Sequence, residues 1–339
     1  MKTDELLELL AQVDPVDREA IRNRPAPEDE LEAIVSAGRG ASRSRRRRRE
    51  RPRPVRLALA GAAGAALLGV IVSALPGRDG DASPEAANAL QSVAAIAAAD
   101  AAPVAPSDII YYRWEHADTG GSEGAGGPYG WLQPATIEQW VAPDGSGRVR
   151  TVTRGPEFGG PRDERRWRQS GAPDLGGAGV SDRTFGADGL TGVPYEGALP
   201  PVRDLPEDPG QLLELFESKA GDFEPANVKV FEYATSVLLH AGASPALRAA
   251  LYEAVAEIEG VSLTGEVRDP LGRRGVGVSI ESDYSGSPTR YTLIFDPETS
   301  QPLANTEDLL EPVEWIDGRR VGYTVLQDTG QVPDEDSRP

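Results

Sequence analysis

The sequence predicts an α+β protein with a single transmembrane helix and an outer domain that combines an antiparallel sheet with a block of helices. Two observations lead to this fold class. An uncharged run, Leu57–Gly77, follows a basic head. Downstream of it, strand-forming segments give way to helix-forming ones and then return. Strands that follow one another through short turns form an antiparallel meander, so the sheet belongs to the outer domain.

The uncharged run is long enough to cross a bilayer, because its 21 residues in a helix, at about 1.5 Å each, span a hydrocarbon core of roughly 30 Å. A secretory signal peptide is the alternative, but it has a short basic start and an apolar core of about 7–15 residues. Here 56 residues precede the run. The sequence therefore predicts a retained helix, and its small-xxx-small pairs leave open a homodimer formed through the membrane.

Arginines concentrate on one side of this run. Nine of them lie between Arg43 and Arg56, whereas Arg78 alone lies just downstream. The positive-inside rule then predicts a cytoplasmic N-terminus and an outer domain beyond the plasma membrane. The residues expected to set this topology, and to contact the anionic head groups of the lipid bilayer, are Arg45, Arg46, Arg47, Arg48, Arg49 and Arg51.

Charge divides the chain at the same place. The whole sequence carries −19, but residues 1–56 hold 14 basic and 11 acidic groups, which leaves 21 basic and 43 acidic groups downstream. A domain this acidic repels nucleic acid, which is excluded as a partner. The chain has no cysteine, so disulfides, thiolate catalysis and cysteine-bound zinc are excluded as well.

These patterns divide the chain into five segments. They are a cytoplasmic head with short helices (1–42), an Arg-rich juxtamembrane segment (43–56), the transmembrane helix (57–77), an extracytoplasmic α+β domain (83–328) and a disordered acidic tail (329–339). In the head, Leu6, Leu9 and Leu10 share one helical face. Such helices would dock on a cytoplasmic protein partner; a loosely ordered tail is the alternative.

Three helix-start signals and one further apolar stripe, at Val230, Phe231, Val237 and Leu238, predict four helices in the outer domain. Ser83, Asp208 and Ser244 are N-cap residues, and each is followed by a proline at the first helical position. The predicted helices cover 84–99, 209–219, 225–240 and 245–259. The predicted strands cover 109–116, 136–141, 148–154, 261–268, 275–282, 289–295, 302–310 and 319–326. The stretch 155–206 is rich in glycine and proline, and we expect an extended loop there with at most short strands.

Several residue runs in the second half of the outer domain carry a resemblance. They include Ser244-Pro-Ala-Leu-Arg-Ala-Ala-Leu-Tyr252, Gly272-Arg-Arg-Gly-Val276 and Ile294-Phe-Asp-Pro-Glu-Thr299. These runs look like an uncharacterised actinobacterial family of single-pass membrane proteins known only by a locus-tag name, and that likeness carries over no catalytic residue. The order of elements also resembles the LolA and RseB proteins. This second resemblance implies a curved, half-barrel antiparallel sheet with a helical insertion.

Aromatic residues concentrate in the first predicted strands. Alternation along a strand sends Tyr112 and Trp114 to one face of the sheet and Tyr111 to the other. These side chains either fill the core of the sheet or line the concave face of a half-barrel, which suits an apolar ligand such as an acyl chain. The predicted ligand-binding residues are Tyr112, Trp114, Trp131 and Trp140.

Signals for catalysis are weak. Gly120-Gly-Ser-Glu-Gly124 matches the Gly-x-Ser-x-Gly pattern of hydrolases, which needs a strained strand-to-helix turn and a later acid and histidine. Ser122 lies in a glycine-rich stretch instead. Because His116 and His240 are the only histidines, an all-histidine zinc site is excluded, although one histidine with two carboxylates remains an alternative. The sequence therefore predicts no catalytic residue, no metal and no cofactor.

The function predicted from these features is a membrane-anchored, extracytoplasmic binding or envelope protein without catalytic activity. It would hold an apolar ligand, a lipoprotein or a protein signal outside the cell. The alternative is a transmembrane regulatory subunit, similar to membrane-bound anti-sigma regulators, whose cytoplasmic head binds a signalling partner.

Overall fold

The computed structural model describes residues 82–100, 109–186, 199–220, 225–239, 243–283 and 287–339. All of these residues belong to one compact unit. In the part of the chain that is described, no helix is both long and apolar enough to span a membrane. The predicted head, Arg-rich segment and transmembrane helix lie outside the described residues.

One antiparallel sheet of nine strands organises the described unit, and it is curved without closing into a barrel. The strands are β1 (Ile109–Gly124), β2 (Gly127–Val141), β3 (Gly147–Thr153), β4 (Gly179–Phe185), β5 (Ser262–Arg268), β6 (Arg274–Ser282), β7 (Thr289–Phe295), β8 (Pro302–Leu309) and β9 (Arg320–Val332). Their spatial order is β4-β3-β2-β1-β9-β8-β7-β6-β5. The chain therefore enters the sheet at its centre, runs to the β4 edge, crosses to the β5 edge and returns, so that β9 pairs with β1.

The described residues also form five α-helices: α1 (Pro84–Ala99), α2 (Pro161–Gln169), α3 (Pro209–Lys219), α4 (Ala226–Leu239) and α5 (Pro245–Ala256). Helix α1 precedes the sheet, and α3 to α5 connect its two edges. The side chains of Ser83, Asp208 and Ser244 each accept a hydrogen bond from a backbone N–H in the first turn of α1, α3 and α5. These three predicted helix starts are confirmed.

Four helices, α1, α3, α4 and α5, pack on the same face of the sheet, which we call the helix-covered face; the opposite one is the outer face. The main core joins helical residues such as Leu251 to Leu293 and Phe295 of β7. Each such side chain contributes about 1.5–3 kcal/mol when it is buried. Strand β1 extends this face, because Tyr112 and Trp114 pack with Leu239 at the end of α4.

Alternation along β1 separates the aromatic side chains as the sequence predicts. Tyr112 and Trp114 lie on the helix-covered face, while Tyr111 lies on the outer face, where it packs with Trp140 and Val332.

Two predictions about the connecting regions are wrong. The stretch 155–206, expected to be a loop with at most short strands, contains the helix α2. Residues 329–339, expected to be a disordered tail, continue β9 as far as Val332 and then fold over the outer face, where Trp140 Nε1 donates a hydrogen bond to the Ser337 carbonyl at 2.7 Å. The folded unit thus extends past the predicted boundary at Asp328. The prediction failed because charged groups and one indole, not an apolar run, hold this segment in place.

Candidate functional site

A polar cavity of about 140 Å³ lies between α4 and the centre of the helix-covered face. The sheet contributes His116, Asp118, Tyr291, Asn305, Glu307 and Thr324 to its lining, and α4 contributes Phe231, Glu232, Thr235 and Ser236. A second cavity of about 470 Å³ is more open and extends to Trp315. The two cavities share Asp118, Tyr291 and Glu307, so together they form one cleft.

The pairing register of the sheet brings these residues together. His116 of β1 lies opposite Thr324 of β9, and Thr324 lies opposite Asn305 of β8. The next residue in this row, Leu293 of β7, already belongs to the main core. The helix-covered face therefore changes from apolar to polar within one strand spacing, and the cavity lies on the polar side.

Hydrogen bonds link the row into a continuous wall. His116 Nδ1 lies 2.9 Å from Thr324 Oγ1, and His116 Nε2 lies 2.9 Å from Asp118 Oδ2. The Thr324 N–H donates to Asn305 Oδ1 at 3.0 Å. The hydrogen bond from His116 holds the pKa of the Asp118 carboxyl below its ordinary value. Asp118 is therefore ionised at neutral pH, and it lines both parts of the cleft.

The order Asp118–His116–Thr324 is also that of a catalytic triad, but two features separate this row from a working one. The N–H of Thr324, which would contribute to an oxyanion hole, is already bound to Asn305. In addition, the Asp118 side chain is 78% exposed, whereas the acid that orients a catalytic histidine is buried. The row is a hydrogen-bonded set of polar side chains along one wall of the cleft.

The lining gives the cleft a negative electrostatic character. Among the described residues that line its two parts there are three carboxylates and one histidine, and neither lysine nor arginine. One of the carboxylates, Glu232, pairs with Lys229 at 2.9 Å. A concave surface with this composition attracts cations and hydrogen-bond donors.

The four predicted ligand-binding aromatics are not brought together at one site. The rings of Tyr112 and Trp114 stack with centroids 5.6 Å apart, and Trp114 Nε1 donates to the Leu239 carbonyl at 2.9 Å. Trp131 covers Gly120, where a Cβ would lie 2.4 Å from the indole ring. Trp140 lies on the outer face. None of the four lines either part of the cleft, and a role for them in ligand binding stays a prediction.

Ser122, the serine of the hydrolase-like pattern, lies on β1 opposite Tyr129 of β2. A two-residue turn at Ala125 and Gly126 joins the two strands, so this serine is exposed in a hairpin and not at a strand-to-helix turn. His240 lies outside the described residues. The described part of the chain contains no group of three histidine, aspartate or glutamate residues that would hold a metal ion.

One part of the cleft could be recognised in the sequence. His116 and Asp118 are two residues apart in a strand, so they share a face, and this spacing points to a polar patch. Asn305 and Thr324 carry no such signal, because their position depends on how β9 pairs with β1 and how β8 pairs with β9.

Comparison with family models, curated proteins and solved structures finds no match for this chain. The chain is therefore described by its fold and its cleft. It is an α+β domain with an open, curved antiparallel sheet, helices on one face and a polar cleft between them.

Proposed function

We propose that this chain is a membrane-anchored binding protein without catalytic activity, whose outer domain holds a small polar ligand with a positive charge. The observation that carries the proposal is the cleft between α4 and the sheet, which is lined by carboxylates, hydroxyls, an amide and His116. An ammonium or guanidinium ligand with further hydrogen-bonding groups complements this lining.

The packing of the helices argues against an acyl chain as the ligand. The apolar part of the helix-covered face is filled by the protein itself, through the main core and through the contact of Tyr112 and Trp114 with Leu239. Trp114 is only 1% exposed. A lipid would have to displace these side chains, whereas a small cation would enter an existing cleft.

In this proposal the predicted helix at 57–77 holds the outer domain close to the membrane. Helix α1 begins at Pro84, only a few residues after the predicted helix ends at Gly77. The arginines that precede the predicted helix favour a cytoplasmic N-terminus, so in this proposal the cleft lies outside the plasma membrane.

Thermal unfolding of the full chain in detergent, with a panel of small ligands, tests the proposal. The panel contains lysine, arginine and spermidine as cations, citrate as an anion and palmitate as an apolar probe. We expect the cations alone to raise the unfolding midpoint, because a ligand that binds the folded state stabilises it. Asp118→Asn should weaken binding roughly tenfold or more, since it removes one charge-assisted hydrogen bond.

Asp182→Asn is the matched control, because Asp182 is also a partly exposed, paired aspartate but lies on the edge strand β4. It should leave cation binding unchanged. Binding of palmitate, or equal losses in the two variants, would contradict the proposal. So would hydrolysis of an ester substrate that His116→Ala abolishes.

A further inference from the structure

The outer face of β1, β2 and β3 carries a pocket that holds an arginine. The Trp140 indole is fully buried, and the guanidinium groups of Arg148 and Arg338 both contact it, with their carbon atoms 5.2 and 5.4 Å from the ring centroid. Arg148 belongs to β3, whereas Arg338 belongs to the segment that follows β9. We call residues 333–339 the strap.

Glu138 forms the floor of this pocket, with a side chain that is 6% exposed. Its carboxylate accepts hydrogen bonds from Arg338 Nε at 2.5 Å and Arg338 Nη2 at 3.1 Å. This two-pronged contact is the geometry by which carboxylates select arginine over lysine. An indole beside it adds a cation–π contact, so the pocket is built for a guanidinium.

Two further contacts fix the register of the strap. The Ser337 carbonyl accepts a hydrogen bond from Trp140 Nε1 at 2.7 Å. Arg148 contacts Asp336, with 2.6 Å between Nη1 and Oδ1. The pocket therefore binds a segment in which an acidic residue lies two positions before an arginine.

The pocket is held together without the strap. Tyr111 donates to Glu138 at 2.8 Å and Arg150 donates to it at 3.1 Å. Arg148 is bound to Asp182 of β4 at 2.7 Å. By contrast, most residues of the strap are exposed. Short exposed segments of this kind open first, at a free energy far below that of global unfolding.

We propose that this pocket, formed by Tyr111, Glu138, Trp140, Arg148 and Arg150, is a binding site for a partner protein. Its ligand is a peptide segment with an acidic residue two positions before an arginine, and the strap occupies the site as an internal competitor. The site lies on the face opposite the polar cleft, so it does not depend on the ligand of the cleft. Because the strap is tethered, its effective concentration is on the order of millimolar, and it excludes weak ligands.

Binding of a fluorescent peptide with the sequence of residues 333–339 tests this proposal. The proteins are the full chain in detergent and a variant that ends at Val332. We expect the shortened variant to bind the peptide and the full chain to bind at least tenfold more weakly, because its own strap competes. Peptides with Arg338→Ala or Asp336→Ala should bind roughly tenfold more weakly, since each loses a charge-assisted contact.

Two variants of the receptor side complete the experiment. Glu138→Gln in the shortened chain should weaken peptide binding, whereas Glu281→Gln, which removes an exposed carboxylate paired with Arg290, should not. The full-length variant Arg338→Ala keeps the strap but empties the pocket, so it should also bind the peptide. This variant decides the question if the shortened chain does not fold.

Three results would overturn the proposal. The first is equal binding of peptides with and without the arginine. The second is failure of both the shortened chain and Arg338→Ala to bind the peptide. The third is a dimer of the full chain that dissociates when the strap is removed, because it would identify a second copy, and not a partner protein, as the donor of the segment.

Discussion

At the scale of single residues, Glu138 and Tyr111 show how one hydrogen bond shifts the titration of two groups. Burial works to raise the pKa of Glu138, but hydrogen bonds from Arg338, Tyr111 and Arg150 outweigh it and bring the pKa to about 2. For Tyr111, burial and the hydrogen bond to Glu138 act in the same direction and raise the pKa to about 12. Both groups therefore keep their neutral-pH charge states over a wide range of pH.

We expect the stability of the outer domain to fall in acid because of Glu138. Its folded pKa lies below the ordinary value of 4.5, so its contribution is present above that pH and is lost as the pH falls towards about 2. Glu138→Gln should lower the free energy of unfolding at pH 7 by about 2–4 kcal/mol and flatten the acid decline. Urea unfolding at a series of pH values measures both effects.

The control for this prediction is again Glu281→Gln, since Glu281 is exposed and pairs with Arg290 at the surface. We expect it to change the free energy of unfolding by less than about 0.5 kcal/mol at any pH. An acid decline in Glu138→Gln as steep as in the unchanged chain would show that other carboxylates cause the loss.

The sequence predicts the face of the sheet on which some of these side chains lie, but it does not predict their contacts with distant residues, and the reason is physical. The opposite orientations of Tyr111 and Trp114 follow from strand alternation alone. The face of Trp140 depends on its pairing with Tyr111 across the β1–β2 hairpin, and the contact of His116 with Thr324 joins residues 208 positions apart. Local sequence carries no record of such pairings, which is why the sequence predicted neither the cleft nor the pocket around Trp140.

At the scale of elements, all four predicted helices bury an apolar stripe, and three of them also begin with a side-chain cap. Helix α2 has neither, because its first turn lacks a side-chain cap and Asp163 is its one buried residue. Strand β4 has six exposed positions out of seven, so it lacks the alternation that marks a half-buried strand. Both elements form through contacts with β1, β2 and β3 that no local pattern encodes.

Helix α5 offers a direct test of the cap that the sequence predicted. Ser244 Oγ accepts a hydrogen bond from the Leu247 N–H at 3.0 Å, and the helix buries Leu247, Leu251 and Val255 in the main core. We expect Ser244→Ala to lower the free energy of unfolding by about 1 kcal/mol, measured by urea denaturation, because the first turn loses a partner for one N–H.

Ser218→Ala is the matched control for the Ser244 cap. Its hydroxyl is exposed and donates to the Leu215 carbonyl within α3, near the end of that helix. The change should have an effect of less than about 0.5 kcal/mol. Equal losses in the two variants would mean that the capping bond contributes nothing specific to α5.

At the scale of the whole molecule, the topology sets where the functional surfaces lie. The chain enters the sheet at β1, and β1 remains at its centre because β9 returns to pair with it. The polar cleft lies on the helix-covered face of this centre, and the Trp140 pocket lies on its outer face beside β1. A ligand in one site and a peptide in the other would therefore contact the same central strand from opposite sides.

The orientation of the whole chain in a membrane is the remaining prediction, and it follows from the arginines before the predicted helix. A reporter that is active only outside the cytoplasm should be active after Pro339 and silent before Lys2. Replacing the six arginines at 45–49 and 51 by asparagine should weaken this preference. Replacing the four arginines of α2 should not, because charges in a long translocated domain have little effect on topology.

Three outcomes of this fusion experiment are distinguishable. The reverse pattern of reporter activity would overturn the orientation, and with it the outward position of the cleft. Release of a soluble outer domain would show that the apolar run is cleaved and is not a retained anchor. Activity after Pro339 that remains bound to the membrane, and that falls when the six arginines are replaced, would place the acidic domain outside and assign the basic segment its role in holding the N-terminus inside.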